Sequence, residues 1–248
     1  MAPERHPSSL GTPADSINLG PELGPIFCTI AAINVYGQTV GNCVVKDGFT
    51  SAVGFQWHGA ALSPPPGVPA NNNLTSISDD GWIGGGTFPD IFGSTGAAIT
   101  SPTGQTIILT NHEGQPTASL SWVNAVTRHG WAAGTSFEGG CQQAVAWLAH
   151  PGQSYPEFRM GTCGAASGLT DDWYVVGTGT DSLEDQNSEW AFVWFPGPGL
   201  QRLPGFGASG ERSYTIAVNA NHHVLGQIVD GTTLHTVIWY VGPRPATP

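Results

Sequence analysis

One ten-residue pattern occurs five times along the chain, and that repetition constrains the fold more than any other feature. The copies run from Ala32 to Gly41 (AINVYGQTVG), Ser76 to Gly85 (SISDDGWIGG), Ala125 to Gly134 (AVTRHGWAAG), Gly168 to Gly177 (GLTDDWYVVG) and Ala217 to Gly226 (AVNANHHVLG). Their closing glycines recur every 43 to 49 residues. That period is the length of one propeller blade and exceeds a single coil of a β-helix. Five such units take up the chain of 248 residues.

The columns of the repeat have physical meaning. Ile33, Ile77, Val126, Leu169 and Val218 form an apolar column, and the residue before each is small: Ala32, Ser76, Ala125, Gly168 and Ala217. Large and small positions alternate, as in a strand packed on both faces. Asn34, Ser78, Thr127, Thr170 and Asn219 follow, short side chains able to bond the next backbone groups. Gly37, Gly81 and Gly130 then stand where a tight hairpin needs positive φ. This predicts a hairpin between strands a and b of each blade. Trp173 and His222 occupy the glycine position in the last two units, which implies turns of a different type there.

Strand c is read at Gly54 to Trp57, Ala144 to Trp147, Ala191 to Trp194 and Thr236 to Trp239, with Ala98 to Ser101 lacking the tryptophan. A tryptophan repeated at one strand position reads as packing between blades rather than as a sugar platform. Strand d is read at Thr106 to Leu109, Glu157 to Met160 and Leu200 to Leu203. The last unit has no strand d of its own, and Ile17 to Gly24 leads into the first repeat as Leu203 to Gly207 leads into the last. The expected fold is therefore all-β: a five-bladed β-propeller of four-stranded blades over residues 16–242, its ring closed by an N-terminal strand. Residues 1–15 form an N-terminal extension and 243–248 a C-terminal tail. The 35 Gly, 20 Pro and 9 Trp, with 10% charged residues, suit short strands and tight turns.

The run Ala32-Ile33-Asn34, with Gly37, Gln38, Val40 and Gly41, followed by strands of the type Ala191-Phe192-Val193-Trp194, resembles the bacterial HAF repeat family, a kelch-like propeller repeat. Trp190 stands where that family's tripeptide has histidine. The resemblance implies the propeller architecture over nearly the whole chain and carries almost nothing about activity.

Seven Lys+Arg against 18 Asp+Glu give a net charge of −11, and the basic residues are scattered, so nucleic acid and anionic membrane surfaces are excluded as partners. No long apolar run offers a membrane span. The N-terminus carries no apolar leader, which reads as a cytoplasmic protein, or a secreted one if a signal peptide was removed. Cys28, Cys43, Cys141 and Cys163 lack the spacing of a structural zinc site. In an oxidising compartment the expected pairs are Cys28 with Cys43 and Cys141 with Cys163; in the cytoplasm the thiols would stay reduced.

With strand a innermost, the b-to-c and d-to-a connections share one face around the channel, and here they are the longer and less alike loops. One asymmetric pocket is expected there. Its catalytic candidates are His112, Glu138, Tyr214 and Asp90; its binding candidates are Trp122, Phe92, Phe137, Phe88, Arg212 and His235. The expected function is binding of a small molecule, as a cofactor-independent cyclase, isomerase or lyase acting on a largely apolar metabolite. The alternatives are a carbohydrate-binding, lectin-like module, and a glycoside hydrolase built on Asp90, Glu138 and Asp230. No metal or cofactor is expected: His222, His223 and His235 lack zinc spacing, the acidic residues Asp181, Glu184 and Asp185 lack a calcium-loop pattern, and no phosphate-binding loop occurs. Asp79-Asp80, His129, Asp171-Asp172 and His222-His223 fall at the a-to-b turns on the opposite face, where a role in turn geometry is expected. The oligomeric state is left open.

Overall fold

A computed structural model describes residues 27–44, 52–57, 62–63, 72–87, 96–111, 113–117, 121–138, 140–147, 157–181 and 188–242. Among them every regular element is a β-strand, and every strand pairing is antiparallel. The first unit is β1 (Phe27–Ile33), β2 (Thr39–Val44), β3 (Ala52–Trp57) and β4 (Leu62–Ser63), paired in that order. The second is β5 (Asn72–Ile77), β6 (Ile83–Thr87), β7 (Gly96–Thr100) and β8 (Thr106–Ile108). The third and fourth units share one seven-stranded sheet: β9 (Trp122–Val126), β10 (Ala132–Glu138), β11 (Cys141–Trp147), β12 (Glu157–Leu169), β13 (Val175–Thr180), β14 (Glu189–Phe195) and β15 (Gly199–Arg202). The fifth is β16 (Arg212–Val218), β17 (His223–Asp230) and β18 (Thr233–Tyr240).

Two features differ from an array of separate four-stranded sheets. β12 is a single strand of 13 residues that serves as the last strand of the third unit and the first of the fourth. Gly161 and Gly164, at φ 77° and 147°, let the chain change direction within it. The fifth unit has three strands among the described residues. The segment Ile17 to Gly24, expected to supply its fourth, lies outside them, as do residues 1–15 and 243–248.

The repeated pattern forms the same hairpin five times. The amides of Gly37, Gly81, Gly130, Trp173 and His222 each donate to the carbonyl three residues back, at 3.0 to 3.1 Å. The short side chain that opens each turn accepts from the amide four residues on: Asn34 from Gln38, Ser78 from Trp82, Thr127 from Trp131, Thr170 from Tyr174 and Asn219 from His223. The turns of the last two units do not differ in type, contrary to the reading of the sequence. Trp173 and His222 adopt positive φ, 77° and 58°, as the three glycines do. Five side-chain caps in register hold the geometry even where the residue disfavours it.

Consecutive first strands lie against one another, β1 on β5, β5 on β9, β9 on β12 and β12 on β16. Apolar clusters fill the spaces between units: Val40 with Leu74, Ile77 and Ile83; Ile99 and Leu109 with Val123, Val145 and Trp147; Ala133 with Ala166, Val175 and Phe192; Val176 and Val193 with Val224, Ile228 and Trp239. The tryptophans of the third strand belong to this packing. Trp147 Nε1 donates to the carbonyl of Thr110 at 3.0 Å and Trp239 Nε1 to that of Pro204 at 2.7 Å, each reaching the connector of the preceding unit. Trp147→Phe keeps most of the apolar area but removes that hydrogen bond, so urea titration should show a loss of about 1 kcal/mol.

Candidate functional site

The five hairpin turns rim one cavity of about 590 Å³. Ile33 to Tyr36, Ile77 to Asp80, Val126 to Arg128, Leu169 to Asp171 and Val218 to Ala220 all line it. The apolar column of the repeat and the polar turn residues both line it. A smaller cavity of about 300 Å³ adjoins it between the first two units, lined by Gln38, Gln56, Thr100 and Ser101 among others. Tyr36, Asp79 and Asp80 line both.

Their availability differs. Asp79 Oδ1 accepts from the amide of Val35 at 3.1 Å, and Arg128 pairs with Asp171 at 2.8 Å, so both contacts link neighbouring turns. Asp80 makes no hydrogen bond or ion pair among the described residues, and the Tyr36 ring is 75% exposed. Both cavities are thus lined by an exposed aromatic residue and by a carboxylate with no partner among the described residues.

On the same side runs a series of aromatic contacts from turn to turn. The Trp173 ring lies 4.6 Å from that of Trp131, which is 5.1 Å from His129, and the His222 ring stacks 4.0 Å from Tyr174. His222 Nε2 also meets Asp172 Oδ2 at 2.6 Å. Burial pushes the Asp172 carboxyl up, but hydrogen bonds from Thr170 and His222 together with the His222 charge outweigh it and hold the group below the usual carboxylate range. These contacts offset the cost of left-handed backbone at Trp173 and His222, about 1 kcal/mol each.

Of the residues expected to form a site on the other face, Trp122, Phe137, Tyr214, Arg212 and His235 have described side chains. Asp90, His112, Phe88 and Phe92 lie outside the described residues, as does the side chain of Glu138. Trp122 and Phe137 belong to one hairpin of the third unit, where Trp122 pairs with Thr135 and the Phe137 amide donates to Ser121 Oγ at 3.2 Å. Tyr214 and Arg212 sit at the start of β16, and the Tyr214 hydroxyl donates to Glu189 Oε2 at 2.5 Å. Burial raises the Tyr214 hydroxyl above its ordinary value, and the Glu189 carboxylate adds to the rise. His235 packs edge-on against Phe206 at 5.0 Å.

Cys141 and Cys163 form a disulfide with Cα atoms 5.9 Å apart. Cys43 is also disulfide-bonded, and the register of β1 and β2 sets it opposite Cys28. Among the described residues no cluster of His, Cys, Asp or Glu has the makings of a metal site, and no helix is long and apolar enough to cross a membrane.

No protein-family model matches the chain, and no curated protein shows significant similarity to it. Asp79 and Asp80 read from the sequence as turn residues, and the structure sets them with Tyr36 on the lining of the cavity. Only the ring of turns shows that five local motifs share a single space.

Proposed function

We propose that the chain is a five-bladed β-propeller that binds a carbohydrate at the mouth of its central channel, on the face of the hairpin turns. Five repeat units stacked first strand to first strand, with all five turns around one cavity, support the blade reading. A fourth strand for the last blade would come from Ile17 to Gly24. The observation that carries the ligand class is that the exposed Tyr36 and the Asp80 carboxylate, which has no partner among the described residues, line both cavities. An aromatic face packs against the C–H surface of a pyranose, and a carboxylate accepts from paired hydroxyls. The lining alternates Asn, Ser, Thr and Asp with aliphatic side chains, which suits the hydroxyls and C–H faces of a sugar better than the largely apolar metabolite of the cyclase, isomerase or lyase reading. The disulfides support export to an oxidising compartment, where glycans are met.

A glycan array run beside a metabolite thermal-shift screen tests this. Glycan binding is expected, and Tyr36→Ala or Asp80→Asn should weaken it at least tenfold while moving the melting midpoint by less than about 2 °C, since both are surface positions. Stabilisation by an apolar metabolite that both variants retain would overturn the carbohydrate reading and return attention to the Tyr214 face.

A further inference from the structure

Four times along the chain one unit meets the next through the same columns. An added Cβ at Gly84 of the second unit would lie 3.2 Å from the Cβ of Val123 in the third, and Val40 and Ala133, in the column of Gly84, cluster with Leu74 and Ala166, in the column of Val123. Two residues further along the second strand, Asn42 bonds both the amide and the carbonyl of Leu74, at 2.7 and 2.8 Å, and Thr178 Oγ1 accepts from the amide of Thr215 at 3.3 Å. At the turns, Gly130 lies against the Trp82 ring, Trp173 against Trp131 and His222 against Tyr174.

Continuing each column to a fifth row pairs Leu225 with Ile30, Gln227 with the Ile30 backbone, and His223 with Gly37. Ile30 and Leu225 are exposed, Gln227 is half-buried, and among the described residues the His223 ring packs only on Tyr240 of its own unit. Ile30 is 67% exposed where Leu74 is 3% and Val123 0%, and Leu225 is 37% exposed where Val40 and Val176 are buried. An added Cβ at Gly37 would meet nothing. Ile216 and Ile238 extend the bare apolar face of the fifth unit, and Ile33 that of the first.

We propose that the fifth unit binds the first unit of the same chain through a fifth copy of this interface, with Leu225 seated on Ile30 and the Gln227 carboxamide capping the Ile30 backbone. The proposal rests on the propeller reading and goes beyond it by assigning the seam and its register. The partner is the same chain rather than a second copy because Ile33 to Tyr36 and Val218 to Ala220 already line one cavity, so the two faces are held at high effective concentration. The seam also crosses the proposed glycan site: Tyr36 lies on one side of it and Asn219 on the other.

The test uses the full chain carrying Ile30→Cys and Leu225→Cys, air-oxidised, with disulfide mapping and light scattering. The Gly84–Val123 row shows that Cβ atoms in these columns lie within disulfide reach. A monomer with a 30–225 link is expected. Leu225→Asp should lower the melting midpoint by more than about 5 °C, because a seam would seal the carboxylate away from water, whereas Leu225→Gln should recover part of that loss. A 30–225 link between chains in a dimer would overturn the proposal by assigning the face to a second copy. Absence of any link, together with a wild-type midpoint for Leu225→Asp, would overturn it as well. Small-angle scattering of the unlinked protein then separates the two failures: a ring-shaped particle keeps the blades and discards this seam, while an open arc discards both.

Discussion

Gly177→Ala is expected to destabilise the protein by about 3 kcal/mol or more and to abolish folding if the margin is small. An added Cβ at Gly177 would lie 2.3 Å from the carbonyl oxygen of Ala165 and 2.4 Å from the Phe192 ring. The first of these neighbours is backbone and cannot give. The cause is a register shift in the first strand of the fourth unit, between Ala166 and Gly168, which thrusts a carbonyl toward the second strand. Overpacking of this kind in a sealed core costs about 1–3 kcal/mol when side chains can move, and more when backbone must. The same collision recurs at Gly85 with Asn73, at Gly134 with Trp122 and at Gly226 with Tyr214, each at 2.1 to 2.2 Å from a carbonyl oxygen. Alanine at any of the three should behave alike. Gly37→Ala, by contrast, meets no atom and should cost about 1 kcal/mol for its positive φ alone. Urea titration of this set measures both numbers; equal losses at Gly177 and Gly37 would contradict the bulge account.

Loss of the Cys141–Cys163 bridge is the second large effect. It closes a separation of 22 residues, spanning from the start of β11 to the middle of β12. Cross-linking a loop of that size stabilises by about 3 kcal/mol. Cys141→Ser with Cys163→Ser should therefore lower the midpoint by about 6–12 °C in a domain of this length. The bridge pins β12 just beyond Gly161, where the strand stops serving the third unit and begins serving the fourth. Reductant added to the wild-type protein should reproduce most of the shift, and a reduced wild-type midpoint equal to the oxidised one would show that strand pairing alone holds that passage.

The site divides along similar lines. Asp79, Asp80 and Tyr36 stand at positions whose local chemistry is fully explained by a turn, and nothing in a linear reading distinguishes a turn residue facing bulk water from one facing a shared cavity. On the other face, Trp122 and Phe137 lie within one hairpin and the Tyr214 hydroxyl bonds Glu189, while Asp90, His112, Phe88 and Phe92 lie outside the described residues.

The all-β class, the five hairpins and the packing role of Trp147 and Trp239 followed from the sequence by itself. Each is set by contacts within about ten residues, or by a column repeated at a fixed period. The cysteine opposition across β1 and β2 was legible for the same reason, because a hairpin turn fixes its own register. The tertiary structure decided what depends on geometry between units. It showed that Trp173 and His222 take the glycine conformation, because Trp131 and Tyr174 from the preceding units lie where those side chains must go. It merged two units into one sheet through β12, since two glycines allow a strand to continue where a loop was expected. It also gathered five turns around one cavity, a relation between residues nearly two hundred positions apart that no local rule encodes.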